Sequence, residues 1–207
     1  MPNLADLIHD ASLEILADPG IRLHDPALLE TIDGNGLHAD GDLVRFEPAR
    51  VMACLETAPA TFPLAGRTPH RSITVGPNSR CMAPAYGAPQ VIGGDHQRRQ
   101  ACFDDYLRIA RLVQASDLLH LSGGILVQPA DLEPDLASLV MLYTALCLGD
   151  KPIIGIQGSD VQVRRLMALG CRAFGGEAAF RSRPHFLFLV STLSPLQIDA
   201  QALATMR

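Results

Sequence analysis

Three short apolar runs in the second half of this 207-residue sequence end in small or polar residues. Leu118 to Leu121 runs into Ser122-Gly123-Gly124, Pro152 to Ile156 into Gln157-Gly158, and His185 to Val190 into Ser191-Thr192. Runs of this length, bounded by Gly and Pro and alternating with helical stretches, predict parallel strands buried on both faces. Ligands of parallel α/β folds bind at the carboxyl ends of the strands, so Ser122, Gly123, Gly124, Gln157, Ser191 and Thr192 are the first site candidates. Glycine there lets a flat ligand approach the backbone, and the Gly123-Gly124 pair equally serves a tight turn. Tyr86-Gly87 sits in a Gly/Pro-rich stretch; its ring can face a cation or simply pack.

Other chemistries lack their residues. The seven histidines are isolated, with no i, i+4 pair and no cysteine at ligand spacing, so no metal site is expected. His120 and His185 read as satisfied core histidines. Gly93-Gly94-Asp95 and Gly175-Gly176-Glu177 lack the lysine and strand-to-helix context of a phosphate loop. Asp131, Glu133 and Asp135 are expected to cap the helix from Pro134. Five cysteines, odd in number and without a C-x-x-C, suit a reducing compartment and small buried roles. The net charge of −5 is carried without a basic stripe, which argues against nucleic acid. Asp6, Asp10, Glu14 and Asp18 leave no room for the positive start of a signal peptide. Leu136 to Leu148 is too short and interrupted to span a membrane. A soluble, cytoplasmic protein is expected.

These candidates need elements to hold them. Asn3 is expected to cap a helix with Leu4, Leu7, Ile8, Ala11, Ile15 and Leu16 on one face, ended by Pro19-Gly20. A second helix starts at Pro26 and stops at Gly34 or Gly36. A strand covers Leu43 to Phe46, and a third helix from Pro48 turns Val51, Met52 and Leu55 inward. Residues 61–102 carry five short extended pieces (62–65, 72–75, 80–83, 90–92 and 98–101), which predict hairpins or a small antiparallel sheet. Asp104 caps a helix reaching Ser116. Helices over Pro134 to Gly149, Ser159 to Phe174 and Asp199 to Met206 alternate with the three parallel strands. Three such units cannot close a barrel, which takes eight strands and typically about 250 residues. The chain is therefore expected to be the N-terminal part of a larger protein.

Many small matches support a family. They include Ile8-His9-Asp10-Ala11-Ser12-Leu13-Glu14-Ile15-Leu16, Gly20-Ile21-Arg22, Asp42-Leu43-Val44-Arg45-Phe46, Phe62-Pro63-Leu64-Ala65-Gly66-Arg67 and Tyr86-Gly87-Ala88-Pro89. Asp104-Asp105, Leu142-Tyr143, Lys151-Pro152 and Ser194-Pro195-Leu196 extend them. On these residues the sequence resembles the trimethylamine methyltransferase family of corrinoid-dependent methyltransferases, over nearly its whole length.

The resemblance implies an α/β fold: residues 104–207 as a truncated TIM (β/α)8 barrel of about three βα units. Residues 1–103 would be a helical and small antiparallel β region before it. It also implies transfer of a methyl group from a methylated amine, such as trimethylamine or glycine betaine, to the cobalt of a corrinoid. That corrinoid would be carried by a cognate partner protein, with no cofactor bound directly by this chain. Some members use pyrrolysine; its position, like the catalytic residues, is expected beyond Arg207. A quaternary amine has no lone pair to protonate, so an in-line nucleophile replaces acid catalysis. Tyr86 would face the ammonium, and with no Trp in the chain a full aromatic cage needs residues from elsewhere. The full-length protein is expected to be a homo-oligomer. Two rivals stand beside this reading: another TIM-barrel enzyme, and a non-catalytic remnant that only binds.

Overall fold

The computed structural model describes residues 3–32 and 36–207. Helix α1 (Leu4–Ala17) begins with a reciprocal cap: Asn3 Oδ1 accepts from Asp6 N (3.0 Å), and the Asp6 carboxylate accepts from Asn3 N (3.3 Å). After β1 (Ile21–Leu23), Asp25 Oδ1 accepts from Leu28 N (3.1 Å) at the start of α2 (Pro26–Ile32). The helix ends at Ile32; Gly34, one of its expected stops, lies outside the described residues. A hairpin of β2 (Leu37–Asp40) and β3 (Leu43–Phe46) follows, then α3 (Pro48–Glu56) with proline in its first turn. One strand was expected here and three form, because β1 and β2 are too short and too polar to show a two-residue period.

The next stretch holds two antiparallel hairpins, β4 (Phe62–Leu64) with β5 (Ile73–Val75), and β6 (Gln90–Ile92) with β7 (Arg98–Gln100). Residues 80–83, expected to be extended, form no strand. Helix α4 (Phe103–Ala115) starts two residues earlier than expected: Cys102 is its N-cap, and Asp105 bonds back to Cys102 N at 2.9 Å. Then come β8 (Ser122–Gly123), α5 (Pro134–Leu148), β9 (Ile153–Gly155), α6 (Asp160–Ala173), α7 (Glu177–Arg181) and β10 (Phe186–Phe188). The chain finishes with β11 (Gln197–Ile198) and α8 (Ala200–Met206), capped by Asp199.

Contacts divide the chain into two units, one made of residues up to Pro59 with Val190–Arg207, the other Ala60–Leu189. The boundary anticipated at residues 103 and 104 falls inside the second unit: the β4–β5 hairpin packs on Ile154 of the parallel sheet, and Val91 of β6 packs against the core that holds Ile153. In the first unit the strand order is β11-β1-β3-β2, with β11 parallel to β1 and the other pairs antiparallel. Its core joins Leu23, Val44 and Leu203. Helix α8 therefore does not serve as a third crossover helix on the parallel sheet; Leu203 (6% exposed) closes the core of the first unit. Helices α1 and α3 bury no side chain fully, and Met52 and Leu55, expected inward, are exposed.

The second unit is mixed α/β around a parallel sheet in the order β10-β9-β8. Ile153 pairs in register with Ser122 and Phe186. Adjacent strand residues point to opposite faces, and Ile153 and Ile154 feed two different cores. Ile153 packs with Tyr106, Val113, Leu142 and Leu166 of the helices. Ile154 packs with Leu64, Leu121, Ile73 and Val75, so the β4–β5 hairpin covers that side. The first and third strands are shorter than the apolar runs suggest. Residues 118–121 leave the sheet, with His120 N donating to Met82 O (2.8 Å), and the third strand stops at Phe188, before Ser191. None of the sheets is closed.

Candidate functional site

The carboxyl end of β8 gathers four of the anticipated residues. Gly123 and Gly124 both have left-handed backbone, φ +77° and +70°, which two successive side-chain-bearing residues would adopt only under strain. A methyl group added to Gly124 would lie 2.7 Å from Tyr86 Cε2, so the space over this glycine is filled by the Tyr86 ring. The Gly87 amide donates to Ile125 O at 2.6 Å, and Gln128 N donates to Ala88 O at 2.9 Å. Residues 86–88 thus run beside the chain leaving β8, with Ala88 bridged in parallel to Val127. Gly87 itself (φ +84°) has open space where a side chain would stand.

Tyr106 holds this end of the strand from the helical side. Its hydroxyl reaches Gly124 O (3.2 Å) and Met141 O (3.1 Å), and the side chain is fully buried. Burial pushes its phenol well above the usual tyrosine range, with the nearby Tyr86 adding to the effect. Burial also raises the Tyr86 phenol, against the opposing influence of the Ile125 backbone. Both are therefore neutral at ordinary pH. Tyr86, Gly87, Gly123 and Gly124 thus form a corner whose own side chains are uncharged and carry one aromatic ring.

The other candidates are spread out. Ser122 is buried within the sheet, its amide donating to Pro152 O (2.9 Å). Gln157 is half-buried in the loop between β9 and the Ser159 cap of α6. Ser191 and Thr192 are exposed and belong to the first unit. Tyr106 escaped the sequence reading; its only signal was a tyrosine on the buried face of α4, indistinguishable there from ordinary core.

Several readings of polar residues change. Asp131 Oδ1 accepts from Phe103 N (2.8 Å) and so caps α4, while Glu133, the N-cap residue of α5, makes no side-chain cap bond. His120 Nδ1 accepts from Met82 N (3.0 Å). His185 is buried between Phe174 and Phe180, its Nδ1 on Ala65 O at 3.0 Å, yet its Nε2 has no partner among the described residues; the expected full satisfaction is only half met. None of the five cysteines is fully buried: Cys54 and Cys147 are exposed, and Cys102 donates its thiol to Asp105 Oδ2 (3.2 Å). Among the described residues, no three His, Cys, Asp or Glu side chains converge as a metal site. Nor is any helix among them long and apolar enough to cross a membrane.

Helices alternating with the parallel strands β8, β9 and β10 make the second unit mixed α/β. Residues 2–207 match the trimethylamine methyltransferase family, and the chain belongs to that family. Glycine betaine methyltransferase of Desulfitobacterium hafniense (strain Y51) is 30% identical over 199 residues, covering 96% of this chain and 42% of the relative. Proline betaine:corrinoid methyltransferase of Eubacterium limosum is 27% identical, covering 77% of this chain and 33% of its own length. Trimethylamine methyltransferase MttB of Desulfitobacterium hafniense (strain DSM 10664 / DCB-2) is 27% identical, covering 92% of this chain and 39% of its own length. The chain thus spans less than half the length of these curated relatives.

Proposed function

We propose that this chain is the N-terminal portion of a cytoplasmic methyltransferase that moves a methyl group from a tertiary or quaternary amine to a corrinoid on a partner protein. Its family membership carries the proposal: the relatives are named for methylated amines, and two of them, for proline betaine and L-carnitine, also for a corrinoid. On this reading β8, β9 and β10, joined in chain order by helices, are the first strands of a (β/α)8 barrel. The remaining strands, the catalytic residues and any pyrrolysine belong to the part of the protein outside this chain, and the complete protein is a homo-oligomer.

The cobalt of the acceptor corrinoid supplies the nucleophile that a positively charged, lone-pair-free nitrogen requires. The chain's own contribution is to bind and orient. The Gly124 corner does not admit a flat macrocycle, because Tyr86 fills it. What faces outward is the half-buried Tyr86 ring with open space beside Gly87, an arrangement suited to an N-methyl cation. Ser122 and Gln157 lie at neighbouring strand ends, and Ser191 and Thr192 follow the third.

The test is methyl transfer to cob(I)alamin by the protein expressed from its complete natural gene, followed by absorbance. Trimethylamine, glycine betaine, proline betaine and carnitine are offered in turn. Methylcobalamin formed from one or more of them is the expected result. No transfer from any of the four would sink the reading.

A further inference from the structure

The strongest apolar face of α1 points away from the unit that the helix belongs to. Leu4 (73% exposed), Leu7, Ile8 and Ile15 recur at helical spacing with Ala11, and all are exposed. The helix instead rests on Leu13, Leu16 and Ala17, which are partly covered. Beside the outward stripe run Asp10 and Glu14, whose carboxylates make no hydrogen bond or ion pair among the described residues. The first unit as a whole carries twelve acidic and four basic side chains, net −8.

The second unit is the electrostatic complement, with thirteen basic and ten acidic side chains, net +3. Helix α5 packs between α4 and α6. From Leu136 to Leu148 it has no charged residue, and it presents Leu136, Tyr143 (59% exposed) and Cys147 to solvent. Its neighbours are lined with arginine. Arg111 on α4, and Arg165 and Arg172 on α6, are exposed and form no ion pair among the described residues. An apolar crest on a helix whose two neighbours carry exposed arginines, and an apolar stripe beside carboxylates on another helix, have matching chemistry.

We propose that α1 of one copy packs along α5 of a second copy, its apolar stripe on the Leu136–Tyr143–Cys147 crest and its carboxylates toward the arginines of α4 and α6. Charge selects this pairing over its alternatives. Two α1 faces brought together would oppose carboxylate to carboxylate, and two α5 faces would oppose arginine to arginine. The contact is heterologous, so it propagates into a ring or a chain of copies.

Sedimentation velocity on the 207-residue protein and two charge-reversed variants tests this. Wild type should show a mass that rises with concentration and falls between about 0.05 M and about 0.5 M NaCl, as screened charges require. Asp10→Lys/Glu14→Lys and Arg165→Glu/Arg172→Glu should each be monomeric alone, with association weakened on the order of tenfold or more. Mixed one to one, they should regain the concentration-dependent association of the wild type, because the two intact surfaces attract and the two reversed surfaces attract as well. A monomeric wild type, variants that associate like wild type, or a mixture that stays monomeric would each overturn the proposal. Circular dichroism checks folding, and the neutral pair Leu7→Ser and Tyr143→Ser replaces any charge variant that fails it, with the same monomeric outcome required.

Discussion

Lys151 shows how a charged side chain can hold a fold together from inside. It is 2% exposed, and its ammonium donates to Val113 O (2.5 Å), Ser116 O (2.6 Å) and Leu119 O (2.7 Å). Those carbonyls close α4 and lead into β8, so one residue at the entrance of β9 fixes where the first strand begins. Burial, helped by the Arg71 charge and opposed by Asp117 and Asp150, lowers its pKa from the usual lysine range. Lys151→Met leaves three carbonyls without a donor and should cost about 3 kcal/mol or more in urea unfolding; a loss below about 1 kcal/mol would refute the capping role. Asp105 gives a pH test. The Arg99 guanidinium, bonded to both carboxylate oxygens (2.6 and 2.7 Å), holds its pKa far below the usual carboxylate range, with burial opposing and the Cys102 amide and thiol assisting. A depressed folded-state value means stability that is complete above the ordinary aspartate pKa and is lost as pH falls toward the folded one. The wild type should therefore weaken in acid below about pH 4 more steeply than Asp105→Asn does. Equal acid slopes for the two proteins would remove Asp105 from the account.

At the scale of elements, two junctions decide the architecture. The first is the Tyr86–Gly124 contact, where a loop crosses the end of β8. Gly124→Ala adds a methyl group 2.7 Å from the ring and forces a side chain into left-handed backbone, worth about 1–2 kcal/mol before the ring moves. Combining it with Tyr86→Ala should relieve the clash but keep the backbone strain, a coupling of about 0.5 kcal/mol or more in a double-mutant cycle. Strict additivity would mean that the two residues do not meet. The second is the return of α8 to the first unit. Arg22 N donates to Leu196 O (2.9 Å) and His24 N to Ile198 O (3.0 Å), so β1 depends on the last residues of the chain. Leu203→Ala should cost about 2–4 kcal/mol and raise amide exchange in β1 and β3 while leaving β9 protected. Uniform loss of protection would show one cooperative body instead of an independent first unit.

For the molecule as a whole, the open parallel sheet is the dominant feature. Among the described residues strand β10 pairs with β9 alone, and Leu187 within it and Leu189 just after it are exposed. An uncovered apolar edge is a template for non-native pairing. Leu187→Lys should reduce salt-insensitive aggregation of the 207-residue protein in light scattering and leave the salt-sensitive association through α1 and α5 unchanged. If scattering does not fall, the edge is not the aggregating surface. Charge is also unevenly divided, with net −8 in one unit and net +3 in the other. That asymmetry makes opposite surfaces of two copies attract and identical surfaces repel.

Helix positions were legible in the sequence because their signals are local. Asn3, Asp25, Ser159 and Asp199 each carry an acceptor within three residues of the amide it satisfies. The alternation of apolar runs with helices announced the parallel strands, the end of the first run singled out Gly123 and Gly124, and the Gly/Pro-rich stretch before α4 singled out Tyr86 and Gly87. What composition and spacing could not contain was the choice of partner across long separations. Asp131 caps α4 and not the helix it precedes, because Phe103 N folds within reach of it. Asp199 caps its helix as its sequence says, but which core that helix fills depends on β11 pairing with β1, 175 residues apart at the Arg22–Gln197 register. Likewise α1 carries an apolar stripe that reads as core, and only the folded chain shows that the stripe faces out. Local hydrogen bonds and period are written in neighbouring residues; which face is buried is set by every other surface competing for it.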